Sequence, residues 1–189
     1  LYIAKQALAY EGLLDDRPLK QIELMVIHCT ELPDLATART YGEKIHYDSG
    51  TGNSGHYYVD QDGCVYQWIT PEKIAHHVKG HNKQSIGIEL INKGRYPNWH
   101  HSKHQQPSES YDDKQINSLI ELINHLHRTI PSLKHIAGHE DLDNTLITAS
   151  DDPKQQVRRK IDPGPLFPWQ YVMKNVQLIN IGSIAKKYE

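Results

Sequence analysis

Cysteine is scarce in this chain: Cys29 and Cys64 are the only two among 189 residues. Two thiols exclude a disulfide-rich scaffold and a multi-cysteine zinc knot, and they permit one disulfide only if their Cα atoms approach. Two free thiols are the expectation. Long apolar runs are also absent. None approaches the roughly 20 residues that a membrane-spanning helix needs, and Leu1-Tyr2-Ile3-Ala4-Lys5-Gln6 has neither the charged nor the hydrophobic region of a signal peptide. A soluble protein is expected, with the cytoplasm favoured; because the chain starts with Leu rather than Met, loss of an upstream signal peptide would instead place it in the periplasm or outside the cell. The formal net charge is −2 and the pI near 6.7, so no broad basic field steers the chain to nucleic acid. Neither His-Glu-x-x-His nor Gly-x-Ser-x-Gly occurs, which removes the zinc-peptidase helix and the serine-hydrolase elbow. No repeat, heptad or linker divides the sequence, and its length suffices for one sizeable core, so a single monomeric domain is expected.

What is present begins with Arg158-Arg159-Lys160-Ile161-Asp162-Pro163-Gly164-Pro165, where a cation and a carboxylate stand two residues apart in a proline-braced segment. Extended backbone has a side-chain period of two, so Lys160 and Asp162 leave from one face, and the prolines deny the segment a helix. An anion-stabilising cation beside a metal-binding carboxylate is one reading. A surface ion pair ahead of a turn is the commoner meaning of a lone Lys-x-Asp.

Hydrophobic periodicity lays out an α/β fold, a central mixed sheet flanked by helices. Ile22 to His28 is apolar almost throughout, as in a central strand buried on both faces. Leu35 to His46 has helical composition, and Asp62-Gly63 reads as a hairpin turn between Tyr57-Tyr58-Val59 and Val65 to Ile69. In the strand Ser85 to Ile91, Ile86, Ile88 and Leu90 share one face, leaving Glu89 as an acid on the other. Asp112 is placed to cap a helix running to about Ile130, with Ile116, Leu119, Ile120, Ile123 and Leu126 on its apolar face and Pro131 as its stop. A short strand at Lys134 to Ala137 and a closing helix at Trp169 to Gln177 complete the reading.

Four segments together, Val26-Ile27-His28-Cys29-Thr30, Ser85-Ile86-Gly87-Ile88-Glu89-Leu90, Ile136-Ala137-Gly138-His139-Glu140-Asp141 and Asp162-Pro163-Gly164-Pro165-Leu166-Phe167-Pro168-Trp169, resemble the zinc-dependent N-acetylmuramoyl-L-alanine amidases of the AmpD type, in the amidase_2 and peptidoglycan-recognition-protein superfamily. The resemblance implies an amidase domain over residues 20–177, an N-terminal extension over 1–19 and a C-terminal tail over 178–189. It implies hydrolysis of the amide between N-acetylmuramic acid and L-alanine in peptidoglycan or muropeptides, with Zn2+ as the cofactor. His28, His139 and Asp162 match the family's ligand positions, and three protein ligands leave a catalytic zinc the fourth position it needs. Glu89 matches the general base and acid, and Lys160 the cation that meets the oxyanion. The branch that uses a tyrosine instead would carry it at position 55, which here is Gly55. His56, His77 and Arg159 are the candidates for substrate contact, and Tyr57 and Tyr58 are read as packing residues.

The rival reading is a peptidoglycan-binding module without catalysis; loss of a ligand would be its mark, and all five site residues are present. Lys93 to Tyr111 and Asp143 to Val157 are insertions relative to most of the family. The first holds His100, His101 and His104 in a polar stretch that reads as solvated and open to adventitious metal, and the second reads as a polar loop near the ligands.

Overall fold

The computed structural model describes residues 1–182, so the last seven residues of the expected tail lie outside the described residues. Seven strands form one sheet: β1 (Ile3–Lys5), β2 (Leu24–Cys29), β3 (Tyr57–Val59), β4 (Val65–Gln67), β5 (Ser85–Leu90), β6 (His135–Gly138) and β9 (Ile179–Asn180). Their spatial order is β1-β4-β3-β5-β2-β6-β9. Only β3 and β4 run antiparallel, joined through Gly63 at φ 90°; every other pairing is parallel. The sheet is therefore mixed, as its sequence implies, and β2 lies inside it, fully buried along its length.

The two faces of the sheet have separate tasks. Met25, Ile27, Ile86, Ile88 and Leu90 point to one face, where α2 (Asp113–Thr129) lays Ile116, Leu119, Leu122, Ile123 and Leu126 over them. Each such side chain contributes about 2 kcal/mol by leaving water, so this face carries most of the core. The helix holds the expected span, and Asp112 stands at its N-cap, although no side-chain cap hydrogen bond forms there. His28, Glu89 and Tyr58 project to the opposite face.

Three departures from the sequence reading have local causes. α1 (Leu35–Gly42) ends four residues before His46, where the Tyr10 hydroxyl donates to the Gly42 carbonyl at 2.8 Å and Trp68 packs against the glycine. The closing helix α4 (Trp169–Lys174) stops at Asn175, before Gln177. The 143–157 stretch, expected to be a loop, forms a hairpin: β7 (Leu146–Thr148) pairs antiparallel with β8 (Gln156–Arg158) just after the short helix α3 (His139–Leu142). Outside the expected domain limits, β1 extends the sheet beyond β4 and β9 extends it beyond β6.

Candidate active site

Parallel register builds the site. β2 and β5 place His28 opposite Glu89, and β5 and β3 place Glu89 opposite Tyr58, so the three stand in a row across adjacent strands. The strand β6 ends at Gly138 and delivers His139 as the first residue of α3, while the segment leaving β8 brings Asp162 back across it, fixed by Glu140 N–H donating to the Asp162 carbonyl at 2.8 Å.

Three donor atoms converge there. His28 Nδ1 lies 2.9 Å from His139 Nδ1, and each is 3.1 Å from Asp162 Oδ2. Protons alone cannot satisfy this triangle, because each Nδ1 carries at most one hydrogen and a hydrogen points along one edge. Some edge always sets lone pair against lone pair or N–H against N–H. A cation in the middle satisfies all three, and tetrahedral coordination at about 2.0–2.1 Å puts donors about 3.3 Å apart, within a few tenths of an ångström of what is seen. Asp162 Oδ1 and His139 Nε2 are also buried with no hydrogen-bond partner among the described residues. The three residues can thus hold a metal ion, and they are the only such group of three among the described residues. Burial, with His139 beside it, pushes His28 down to about 4; burial raises Asp162, but His139 and His28 outweigh it and hold that carboxyl well below the usual range. The His28 imidazole and the Asp162 carboxyl are therefore unprotonated at neutral pH.

Glu89 Oε1 is 3.9 Å from His28 Nδ1. Burial and then the Asp162 charge raise its carboxyl to about 8, with Lys160 pulling the other way. Gly55 makes room for it: a Cβ there would stand 2.8 Å from Glu89 Cγ. Lys160 lines the same cavity, of about 870 Å³, together with Glu89, the three donors and Tyr58.

The three substrate-contact candidates separate. Arg159 lines the cavity, with its guanidinium paired to Asp143. His56 is fully buried and does not line it; its Nδ1 accepts from Gly87 N–H at 3.1 Å and its Nε2 lies 3.1 Å from the Lys73 carbonyl. Burial, then Arg17, depresses it to about 3. His77 lines the cavity and belongs to a relay. Ser85 Oγ donates to the His81 carbonyl at 2.7 Å and so accepts from His77 Nε2 at 3.1 Å. His77 Nδ1 is then bare and accepts from His28 Nε2 at 3.0 Å. That fixes the His28 tautomer with a bare Nδ1 facing the other donors. Gly87 lets the His77 ring sit flat on β5, since a Cβ would come within 2.6 Å of it.

Sequence reasoning missed this relay, and it missed Tyr58 as a cavity residue, whose hydroxyl stands 2.9 Å from Ser54 Oγ. The Asp62-Gly63 turn signal fixes the Tyr58–Tyr66 pairing, but the Tyr58–Glu89 neighbourhood needs the parallel register of β3 and β5. The histidine-rich 93–111 insertion is not merely solvated: Ser102 donates to Asp151 from N–H and hydroxyl, both at 2.7 Å, and His101 Nδ1 is 3.3 Å from the same carboxylate. Cys29 is buried and Cys64 exposed, both as free thiols.

A family model described as Amidase_2, N-acetylmuramoyl-L-alanine amidase, matches residues 18–165. The chain belongs to this family. It is 29% identical over 86% of its length to the 1,6-anhydro-N-acetylmuramyl-L-alanine amidase AmpD of Haemophilus influenzae, covering 88% of that protein. Among solved structures, the endolysin amidase LysCS of Clostridium intestinale superposes with a TM-score of 0.61 at 18% identity, over 94% of this chain and 96% of that one. AmiD of E. coli, solved with anhydro-N-acetylmuramic acid-L-Ala-D-gamma-Glu-L-Lys, superposes with a TM-score of 0.61 at 26% identity, over 82% of this chain and 57% of that one. The mixed sheet flanked by helices in this amidase is the fold of these solved structures.

Proposed function

We propose that this protein is a zinc-dependent N-acetylmuramoyl-L-alanine amidase that hydrolyses the amide joining the lactyl group of N-acetylmuramic acid to L-alanine, with residues 20–177 as its catalytic domain. The observation that carries the reading is the convergence of His28 Nδ1, His139 Nδ1 and Asp162 Oδ2 beside a buried glutamate. Those three donors would hold the zinc, which when bound supplies Lewis acidity to the scissile carbonyl and to the attacking water.

The chain's own residues do the rest. Glu89 accepts the proton of the attacking water and delivers it to the leaving amine of L-alanine; its raised pKa suits both the taking and the giving near neutral pH. Lys160 meets the negative charge that develops on the carbonyl oxygen, a task for which one fixed donor is worth about 3 kcal/mol. His77 and Ser85 keep His28 in its working tautomer. Arg159, which lines the cavity with its guanidinium paired to Asp143, meets an anionic group of the substrate in this reading.

The test is incubation of the zinc-loaded protein with purified sacculi and with anhydro-N-acetylmuramic acid-L-Ala-D-γ-Glu-L-Lys, the compound bound to AmiD, followed by mass spectrometry. The expected products are a free lactyl carboxylate and a peptide with a new amino terminus at L-alanine. Cleavage of glycan bonds, or of bonds within the peptide, would refute the proposal.

A further inference from the structure

The first insertion places one guanidinium at the junction of the site's supporting segments. Arg95 is buried, and all five of its N–H donors are used. Nε and Nη2 grip Glu31 in a bidentate pair at 2.7 and 2.8 Å; Nη1 donates to Gln105 Oε1 and to the Arg158 carbonyl, both at 2.9 Å; Nη2 donates to the Arg159 carbonyl at 3.2 Å. Glu31 follows the strand that carries His28, and Arg158 and Arg159 precede Lys160 and Asp162. Arg158 in turn donates from Nη2 to the carbonyls of Glu140 and Asp143, on and just after the helix that begins with His139. A single side chain thus bonds the end of one ligand-bearing segment to the backbone of another, which is itself bonded to the third.

Lysine could carry the charge but not this geometry. A planar fork of five fixed donors reaches a carboxylate and two carbonyls in different directions at once, whereas an ammonium has three donors at one point. Without the fork, the two part-buried carbonyls would lose their donors, and the chain before Lys160 would relax to find others.

We propose that Arg95 is a positioning residue: by holding the Arg158 and Arg159 carbonyls against Glu31, it sets where Lys160 and Asp162 stand relative to His28. The inference rests on the reading of the site given above, and its first test is independent of that reading. In metal-free protein, hydrogen–deuterium exchange of the peptide covering residues 156–163 should be at least tenfold faster in Arg95→Lys than in wild type, with the α2 peptides unchanged. Zinc affinity, measured by competition with a chromogenic chelator, should fall 10- to 100-fold, and kcat should fall more than KM rises. Glu31→Gln, which keeps the shape and removes the anchoring charge, should move the same readouts in the same direction by less. Unchanged exchange over 156–163 in both variants overturns the clamp, whatever the metal does. Faster exchange throughout the molecule, or failure of both variants to fold, assigns the pair to global stability and overturns it as well. A wild-type protein that binds no zinc overturns the site reading alone, because the exchange experiment still decides the clamp.

Discussion

Glu89 owes its chemistry to the strand that buries it. A solvated glutamate at neutral pH is a poor proton donor, whereas one raised to about 8 can exchange a proton in either direction. Glu89→Gln keeps the volume but loses the exchangeable proton. It should cost about 10²- to 10⁴-fold in turnover while zinc content stays at wild-type level, and metal analysis beside a rate on a muropeptide checks both halves; an unchanged rate would send the search for the proton carrier to Tyr58 or His77. Lys160→Ala should cost about 10²-fold in kcat, the rate equivalent of the roughly 3 kcal/mol of one oxyanion donor, again with zinc retained. For the relay, His77→Ala should weaken zinc binding about 10- to 100-fold, because His28 then loses the partner that sets its tautomer. Chelator competition giving a wild-type dissociation constant would remove that role. That His28, Glu89, His139, Lys160 and Asp162 share one cavity was legible in the sequence, since each sits in a short local motif at a strand or segment end. Their supports were not: His77 lies 49 positions from His28 and Arg95 lies 64 from Glu31, and neither pair announces itself without the register of the sheet.

Elements with a strong period were read nearly to their ends. α2 shows six large apolar residues at helical spacing over 17 positions, and β2 is apolar but for His28, so both stood out in the sequence. The β7–β8 hairpin did not, because strands of three residues are too short for alternation to register and a polar tract separates them. α1 was overextended because composition says nothing about a tyrosine hydroxyl from the N-terminal segment meeting its last carbonyl. The strongest element also carries the clearest stability prediction. Leu119 is fully buried against the sheet, and Leu119→Ala should cost about 3 kcal/mol in chemical denaturation through lost burial and the cavity left behind. The sheet lies between this residue and the groove, so kcat should hold as long as the variant is folded. A variant with wild-type stability would mean that α2 is not docked as described.

Over the whole molecule, the donor triangle ties together residues 28, 139 and 162, which no local structure brings near one another. A metal that binds only this folded arrangement stabilises it by mass action, about 4 kcal/mol at a thousandfold excess over Kd. For a chain of this size that is a rise of about 10 °C in Tm. Chelation should remove this increment together with activity, and added zinc should restore both; differential scanning fluorimetry that shows no response to either would mean that the triangle holds no metal. The order of the sheet has a practical consequence. Its two outermost strands, Ile3–Lys5 and Ile179–Asn180, both fall outside the 18–165 stretch that the family model matches. An expression fragment cut to those limits would bare the hydrogen-bonding rims of Val65–Gln67 and His135–Gly138 and discard the Trp169–Lys174 helix, leaving open templates for intermolecular strand pairing. Such a fragment should aggregate where the full 189-residue chain remains monodisperse, a difference that light scattering at matched concentration would reveal.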